Sequence, residues 1–291
     1  MLESVAVVVL PLALPIAAFF LANRYGLFSW VSRAPQQFRR TLPWKDFGPT
    51  PLGEKGYTPQ GLTWANDRLI FANSWKNTLS RVYEYQVGPD SLTLERFFDM
   101  PPEAVHTSGL AWDGAFLWAV DYKSNLAYKI DLEASLVSQQ AVVLAQFDTG
   151  LKGTSACCLL EVDGETCLAI SDFLRTRKTI VIRHHAAAQS GSATGHLIFA
   201  YHNESFSQGL EYVGGFLWES VNKRGGDIIN QLDVQRLRST GDARLSLIAQ
   251  FNAPGPGVED LAWDGSRMWT SDEVSFRFYC CTELPLTPPN G

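Results

Sequence analysis

Five near-equal repeats, a tight-turn signal within the repeat unit and a recurring terminal aromatic predict an all-β chain folded as a five-bladed β-propeller. The repeat cores begin at Gln60, Ser108, Cys158, Gln208 and Glu259. Aligned on Gly61, Gly109, Leu159, Gly209 and Asp260, they lie 48, 50, 50 and 51 residues apart. That period suits one four-stranded blade per repeat.

Each element of a blade follows from local chemistry. A short apolar strand runs into Asp113-Gly114, Asp163-Gly164, Gly214-Gly215 or Asp264-Gly265, and a second apolar strand follows. Asp-Gly and Gly-Gly take the positive φ angles that two-residue hairpins need. Ala127–Leu132 and Asn230–Val234 read as third strands, and fourth strands run into Phe98, Phe147, Tyr201 and Phe251. The last repeat is one strand short after Ser275–Tyr279; the segment from Gln37 to Phe47 supplies it, because Phe47 precedes Gly61 much as Phe98 precedes Gly109. An N-terminal strand in the final blade closes the ring and removes an exposed edge. Trp64, Trp112 and Trp263 form one column, and Trp118, Trp218 and Trp269 another; both read as packing between blades.

Composition narrows the classes. With 46% apolar and 19% charged residues the chain is an ordinary globular one, not a disordered one. The net charge of −6 divides unevenly: residues 1–56 carry +3 and the rest −9. An acidic globule lacks the basic face that phosphate contacts require, so nucleic acid is excluded as a partner. Val5 to Ala22 is an uncharged apolar run of 18 residues. As a helix it spans about 27 Å, close to the ~30 Å hydrocarbon core of a bilayer. Glu3 is the only charged side chain before it, which argues against a cleaved signal peptide. Arg24, Arg33, Arg39 and Arg40 follow the run, placing the bulk of the chain on the cytoplasmic side of a single-pass anchor. The expected organisation is a transmembrane helix over 1–24, a linker with the ring-closing strand over 25–56, and the propeller over 57–291. Five cysteines, an odd number with two vicinal pairs, read as buried or free thiols in a reducing compartment.

In a propeller the innermost strands begin at one mouth, and the second strands end there. The starts display Gln60, Ser108, Gln208, Glu259 and Asp260; the ends display Asn73, Asp121, Asp172, Glu219 and Asp272. A ring of carboxylates there suits a cation, an amine or another polar ligand, although Asp and Asn also cap turns everywhere. Asn73, Asp121, Asp172, Gln208, Glu259 and Asp272 are the expected ligand contacts. Glu219 differs from its column, where the other blades place Ala119, Thr270 and a small residue near Ala72 or Ala169. A carboxyl at such a position has a partner, a neutral state or a chemical role. No Gly-x-Ser-x-Gly elbow or phosphate loop occurs, no pattern points to a cofactor, and no spacing selects a metal.

The run Gln208-Gly209-Leu210-Glu211-Tyr212, followed by Phe216-Leu217-Trp218-Glu219-Ser220, resembles the plant/bacterial type of glutaminyl cyclase, as does Ala72-Asn73-Ser74-Trp75. That resemblance implies a five-bladed propeller with Glu219 as the acid/base residue and Trp75 in the substrate pocket. Three functions follow as expectations. The first is a membrane-anchored propeller that binds a small polar or cationic ligand, peptide or partner at an acidic mouth without catalysis. The second is a glutaminyl-peptide cyclotransferase, which turns N-terminal glutamine into pyroglutamate with release of ammonia. The third is a metal-dependent lactonase or esterase, with Asp, Asn and Glu from several blades around a hard cation such as Ca²⁺.

Overall fold

A computed structural model describes residues 39–50, 57–173, 176–223 and 226–286. The proposed anchor, Val5 to Ala22, lies outside them; no helix among the described residues is long and apolar enough to cross a membrane. Strands β1 (Arg40–Thr41) and β2 (Trp44–Pro49) come first. Blade 1 contains β3 (Tyr57–Ala65), β4 (Arg68–Trp75), β5 (Leu79–Val87) and β6 (Leu92–Asp99). Blade 2 contains β7 (Thr107–Trp112), β8 (Leu117–Asp121), β9 (Leu126–Asp131) and β10 (Val142–Asp148). Blade 3 contains β11 (Thr154–Val162), β12 (Glu165–Asp172), β13 (Lys178–Ile182) and β14 (Leu197–His202). Blade 4 contains β15 (Phe206–Val213), β16 (Phe216–Asn222), β17 (Ile228–Asp233) and β18 (Leu247–Asn252), with β1 parallel to β18 at its outer edge. Blade 5 contains β19 (Val258–Trp263), β20 (Met268–Asp272) and β21 (Arg277–Cys281).

The ring closes as the truncated last repeat requires. Strand β2 adds antiparallel to β21, pairing Trp44 with Cys281 and Gly48 with Phe278. A bulge between Asp46 and Gly48 accommodates Phe47, whose ring meets Trp269 edge-on at 4.7 Å. Innermost strands β3, β7, β11, β15 and β19 neighbour one another in turn, and β19 returns to β3. The five blades form a closed propeller.

Two local features depart from the sequence reading. Blades 2, 3 and 4 each insert a short α-helix between their third and fourth strands, α1 (Leu132–Ser138), α2 (His184–Ser190) and α3 (Val234–Thr240), and blade 4 adds a 3-10 turn over Arg244–Ser246. Asp131 and Asp233 end their strands and cap the next helix, accepting from Ala134 N and Arg236 N at 3.0 Å each. The third strands therefore stop at Asp131 and Asp233 rather than continuing to Leu132 and Val234. In blade 3 the register pairs Ala156 with Ser171 just as Gly109 pairs with Val120. Ala156, not Leu159, is the counterpart of Gly109; blade 3 has alanine in place of the glycine of blades 1, 2 and 4, and no tryptophan.

The innermost strands crowd the axis, and their small residues are what permit it. A Cβ added at Gly109 would lie 2.6 Å from Cys157 N, and one at Gly209 would overlap the backbone of Asp260. Where the other blades place Gly61, Gly109, Ala156 and Gly209, blade 5 places Asp260, which is completely buried. Its Oδ2 accepts from Leu62 N at 2.9 Å and Leu110 N at 3.3 Å; its Oδ1 accepts from Leu210 N at 3.1 Å and Leu261 N at 3.0 Å. One carboxyl thus links the innermost strands of blades 1, 2, 4 and 5. Burial pushes its pKa up, while those four donors favour the ionised form. Replacing Gly209 by Ala should cost at least ~3 kcal/mol by displacing this strand from the axis. Denaturant titration checks this, and a change below ~1 kcal/mol would show that the axis tolerates the extra methyl.

Candidate functional site

The strand starts open onto a cavity of about 310 Å³ to which all five blades contribute. Blade 1 supplies Thr58, Gln60 and Asn77; blade 2 supplies His106, Ser108, Tyr122 and Lys123. Blades 3, 4 and 5 add Ser155 and Phe173, Gln208, and Glu273 respectively. Asp260 bonds the residues that come next along these strands, and so forms the floor beneath this mouth.

His106 organises one wall. Its Nε2 lies 3.0 Å from Gln60 Oε1, and its Nδ1 meets the side-chain amide of Asn77. Burial, reinforced by Lys123, lowers its pKa to about 4. A neutral imidazole donates from one nitrogen only, so one of the two amides presents its NH₂ group to the ring. The neighbouring rings continue as an arc: His106 to Tyr122 at 5.2 Å, Tyr122 to Phe173 at 6.4 Å and Phe173 to Phe206 at 5.1 Å. Lys123 places its ammonium 5.2 Å from the Tyr122 ring centroid.

The eight expected site residues divide into separate groups. Gln208 lines the mouth and its Nε2 donates to Oε1 of Glu259 at 3.0 Å; Glu259 itself is buried and not among the lining residues. Burial raises the Glu259 pKa well above the carboxylate range, helped by the charges of Glu273 and Asp260. Asp121, Asp172 and Asp272 instead staple loops. Asp121 accepts from Lys123 N, Ser124 N and His106 N, and Asp272 from Val274 N, Ser275 N and Gly257 N. Asp172 accepts from Thr176 Oγ1 at 3.0 Å and Lys152 N at 3.3 Å. Blade 4 has Val221 at this position and uses Asp227, which accepts from Lys223 N and Val258 N at 3.0 Å each. Turn capping therefore accounts for this column. Asn73 is buried opposite Pro59, and Trp75 stacks on Tyr57 at 5.7 Å; neither lines the mouth cavity. The carboxylate ring expected there reduces, among the lining residues, to Glu273, and Lys123 also lines the cavity.

Glu219 lies elsewhere, in the seam between blades 3 and 4. The observed register places it in column with Phe71, Ala119, Ile170 and Thr270, so the counterparts in blades 1 and 3 are large apolar residues. Its side chain is completely buried; Oε2 accepts from Asn230 Nδ2 at 3.3 Å, and Oε1 has no hydrogen-bond partner. The seam carries other polar groups. Ser171 Oγ lies 2.6 Å from Thr179 Oγ1 and 3.1 Å from Ser207 Oγ, and Gln250 Nε2 donates to Asn230 Oδ1 at 3.0 Å. Burial pushes the Glu219 pKa up to about 7, against the opposing effects of Asn230 and Ser207. Glu219 therefore exchanges its proton near neutrality.

A second cavity, about 180 Å³, lies beyond Asp260 on the far side of the axis. Trp64, Trp112 and Trp263 line it with Cys158 and Glu211. One tryptophan column therefore lines a void, whereas Trp118, Trp218 and Trp269 are fully buried between blades. Glu211 accepts from Tyr212 N at 2.8 Å and Trp263 N at 2.9 Å, and burial pushes its pKa up to about 7. All five cysteines are buried and unbonded to one another. The strand starts were legible from the repeat; Tyr122, Phe173 and Glu273 each follow the strand-ending Asp121, Asp172 and Asp272 by one residue, a repeat position the sequence reading did not single out, and Asn77 enters from a turn.

No family model matches the chain, and no curated protein sequence matches it. Among solved structures, the glutaminyl cyclase of Myxococcus xanthus is similar, with a TM-score of 0.58 and 13% identity over 84% of this chain and 96% of that one. A chain of the mitotic checkpoint complex aligns at a TM-score of 0.47 and 9% identity, covering 87% and 94% of the two chains. The first likeness establishes a shared propeller architecture.

The Glu219 pKa implies a measurable proton linkage. The folded chain holds this proton up to about pH 7, whereas an ordinary Glu side chain, at 4.5, releases it earlier. The stabilisation is complete below pH 4.5 and is lost as pH rises through 7. Glu219→Gln, which mimics the protonated form, should therefore gain ~3 kcal/mol in stability relative to the parent between pH 5 and 8. Denaturant midpoints of both proteins across that range test this; a stability difference independent of pH would contradict it.

Proposed function

We propose that the chain is a glutaminyl-cyclase-like enzyme, taking an N-terminal glutaminyl substrate at the five-blade mouth and using Glu219 as the proton-relay carboxyl. The observation that carries this reading is the Glu219 side chain: fully buried, poised near neutrality and with one oxygen unpartnered. The hairpin motif shared with that family and the architecture shared with a glutaminyl cyclase support it.

The chemistry needs little beyond such a group. The substrate α-amine attacks its own side-chain amide carbon, a C–N bond forms, and a tetrahedral intermediate collapses with loss of ammonia. The reading requires the seam between blades 3 and 4 to open onto the mouth; protonated Glu219 then donates to the departing amide nitrogen, and the resulting carboxylate takes a proton from the attacking amine, so the carboxyl is restored. A relay group with a pKa near the working pH serves both transfers, an effect worth ~10²–10⁴-fold. Gln60, Gln208 and Glu273 offer acceptors for the N–H groups of the substrate amine and amide, with Tyr122 and Phe173 as an apolar wall.

A second reading is favoured by one specific observation: Glu219 does not line the mouth cavity. If the seam stays closed, the mouth binds an amine- or amide-bearing ligand without turning it over. One experiment separates the two. Incubation with a Gln-initiated peptide should release ammonia and yield a pyroglutamyl product, with Glu219→Gln lowering the rate at least ~100-fold. Saturable calorimetric binding of that peptide without ammonia release would favour the binding reading, and neither signal would remove both.

A further inference from the structure

We propose that Asp113, His184 and His185 form a binding site for a divalent transition-metal ion, Zn²⁺ or a borderline relative, at the seam of blades 2 and 3. Asp113 belongs to the β7–β8 hairpin turn, at the opposite end of these strands from the mouth, and the two histidines open helix α2. One ligand atom from each residue lies within 4.8 Å of the others.

The surroundings prepare these groups for ligation. Asp113 Oδ1 accepts from Ala115 N at 2.9 Å and Phe116 N at 2.6 Å, which fixes the carboxylate in the turn. Its Oδ2 accepts the Trp118 indole N–H at 2.7 Å and faces His185 Nε2 at 3.9 Å. Outer hydrogen bonds of this kind orient a ligating carboxylate and remain intact when it binds a metal. His184 supplies the independent observation. It is 1% exposed, and neither of its ring nitrogens has a hydrogen-bond partner. An imidazole with two orphaned nitrogens in a core is costly, and coordination relieves that cost at one of them.

Two imidazoles and one carboxylate leave a fourth tetrahedral position for water, and this donor set favours Zn²⁺ or Cu²⁺ over Ca²⁺ or Mg²⁺. Donors on a tetrahedral zinc lie ~3.4 Å apart, so the cluster must contract by about an ångström. His185, the exposed member, can supply that movement and the route of entry. The opposing charge nearby is Lys129, whose ammonium is anchored 3.7 Å from the Phe116 ring centroid.

The test is calorimetric titration of Zn²⁺ into the full chain, freed of any purification tag, near pH 7.5. It should show one Zn²⁺ per chain, with His185→Ala and His184→Leu each weakening affinity at least ~10-fold. In metal-free buffer His184→Leu should melt no lower than the parent, because it removes two unpaired polar atoms. Should that variant fail to fold, His185→Ala decides alone, since its side chain is on the surface. No stoichiometric uptake, or an affinity that His185→Ala leaves unchanged, overturns the proposal.

Discussion

The Asp260 carboxyl accepts backbone N–H groups from Leu62, Leu110, Leu210 and Leu261, and the closed ring is built around that set of bonds. An innermost strand has an unpaired edge facing the axis, where its buried amides need acceptors. Neighbouring innermost strands converge too obliquely for an ordinary ladder to satisfy them all. A short side chain with two acceptor oxygens, supplied once, answers four of those amides. Glycine or alanine at the equivalent positions of the other blades leaves the space it occupies. The same residue separates the polar mouth from the tryptophan-lined cavity, so the hub determines both the closure of the ring and the depth of the candidate site.

Buried acids in this chain fall into distinct physical roles. Asp121, Asp272 and Asp227 spend their oxygens on loop amides, which ordinary turn geometry explains. Glu211 is held by two backbone amides beside a cavity. Glu259, buried, accepts from Gln208, which lines the mouth. Glu219 is the least satisfied of this group, held by the Asn230 amide on one oxygen and left unpartnered on the other. Satisfied carboxyls hold loops and strands in place, and an incompletely satisfied one retains chemical freedom. That contrast is the physical basis for proposing Glu219 as the proton relay.

Much of the fold was legible because hairpins are local. Asp113-Gly114 and Asp264-Gly265 fix turns within a few residues of the strands they join, and the missing last strand pointed to the N-terminal segment that became β2. Legibility failed where the determining contact is distant in sequence. Asp260 read as one more acid at the mouth, because the amides that hold it come from three other blades. Ala156 was misaligned by three residues, because blade 3 replaces glycine and tryptophan at the diagnostic positions. Among the expected mouth residues, strand phase placed Gln208 in the cavity lining. Glu219 was singled out as the odd member of its column but placed on the mouth rather than in the seam, since a repeat alignment does not show which neighbouring blade a side chain faces.

Amide hydrogen exchange measures the hub directly. With four strands tied to one carboxyl, the amides of Leu62, Leu110, Leu210 and Leu261 should exchange among the slowest in the chain and with a common opening free energy. Asp260→Asn keeps the side-chain shape but replaces one acceptor oxygen with a donor, and it should accelerate all four together. Fast or dissimilar exchange at these amides, or rates that Asp260→Asn leaves unchanged, would contradict the account.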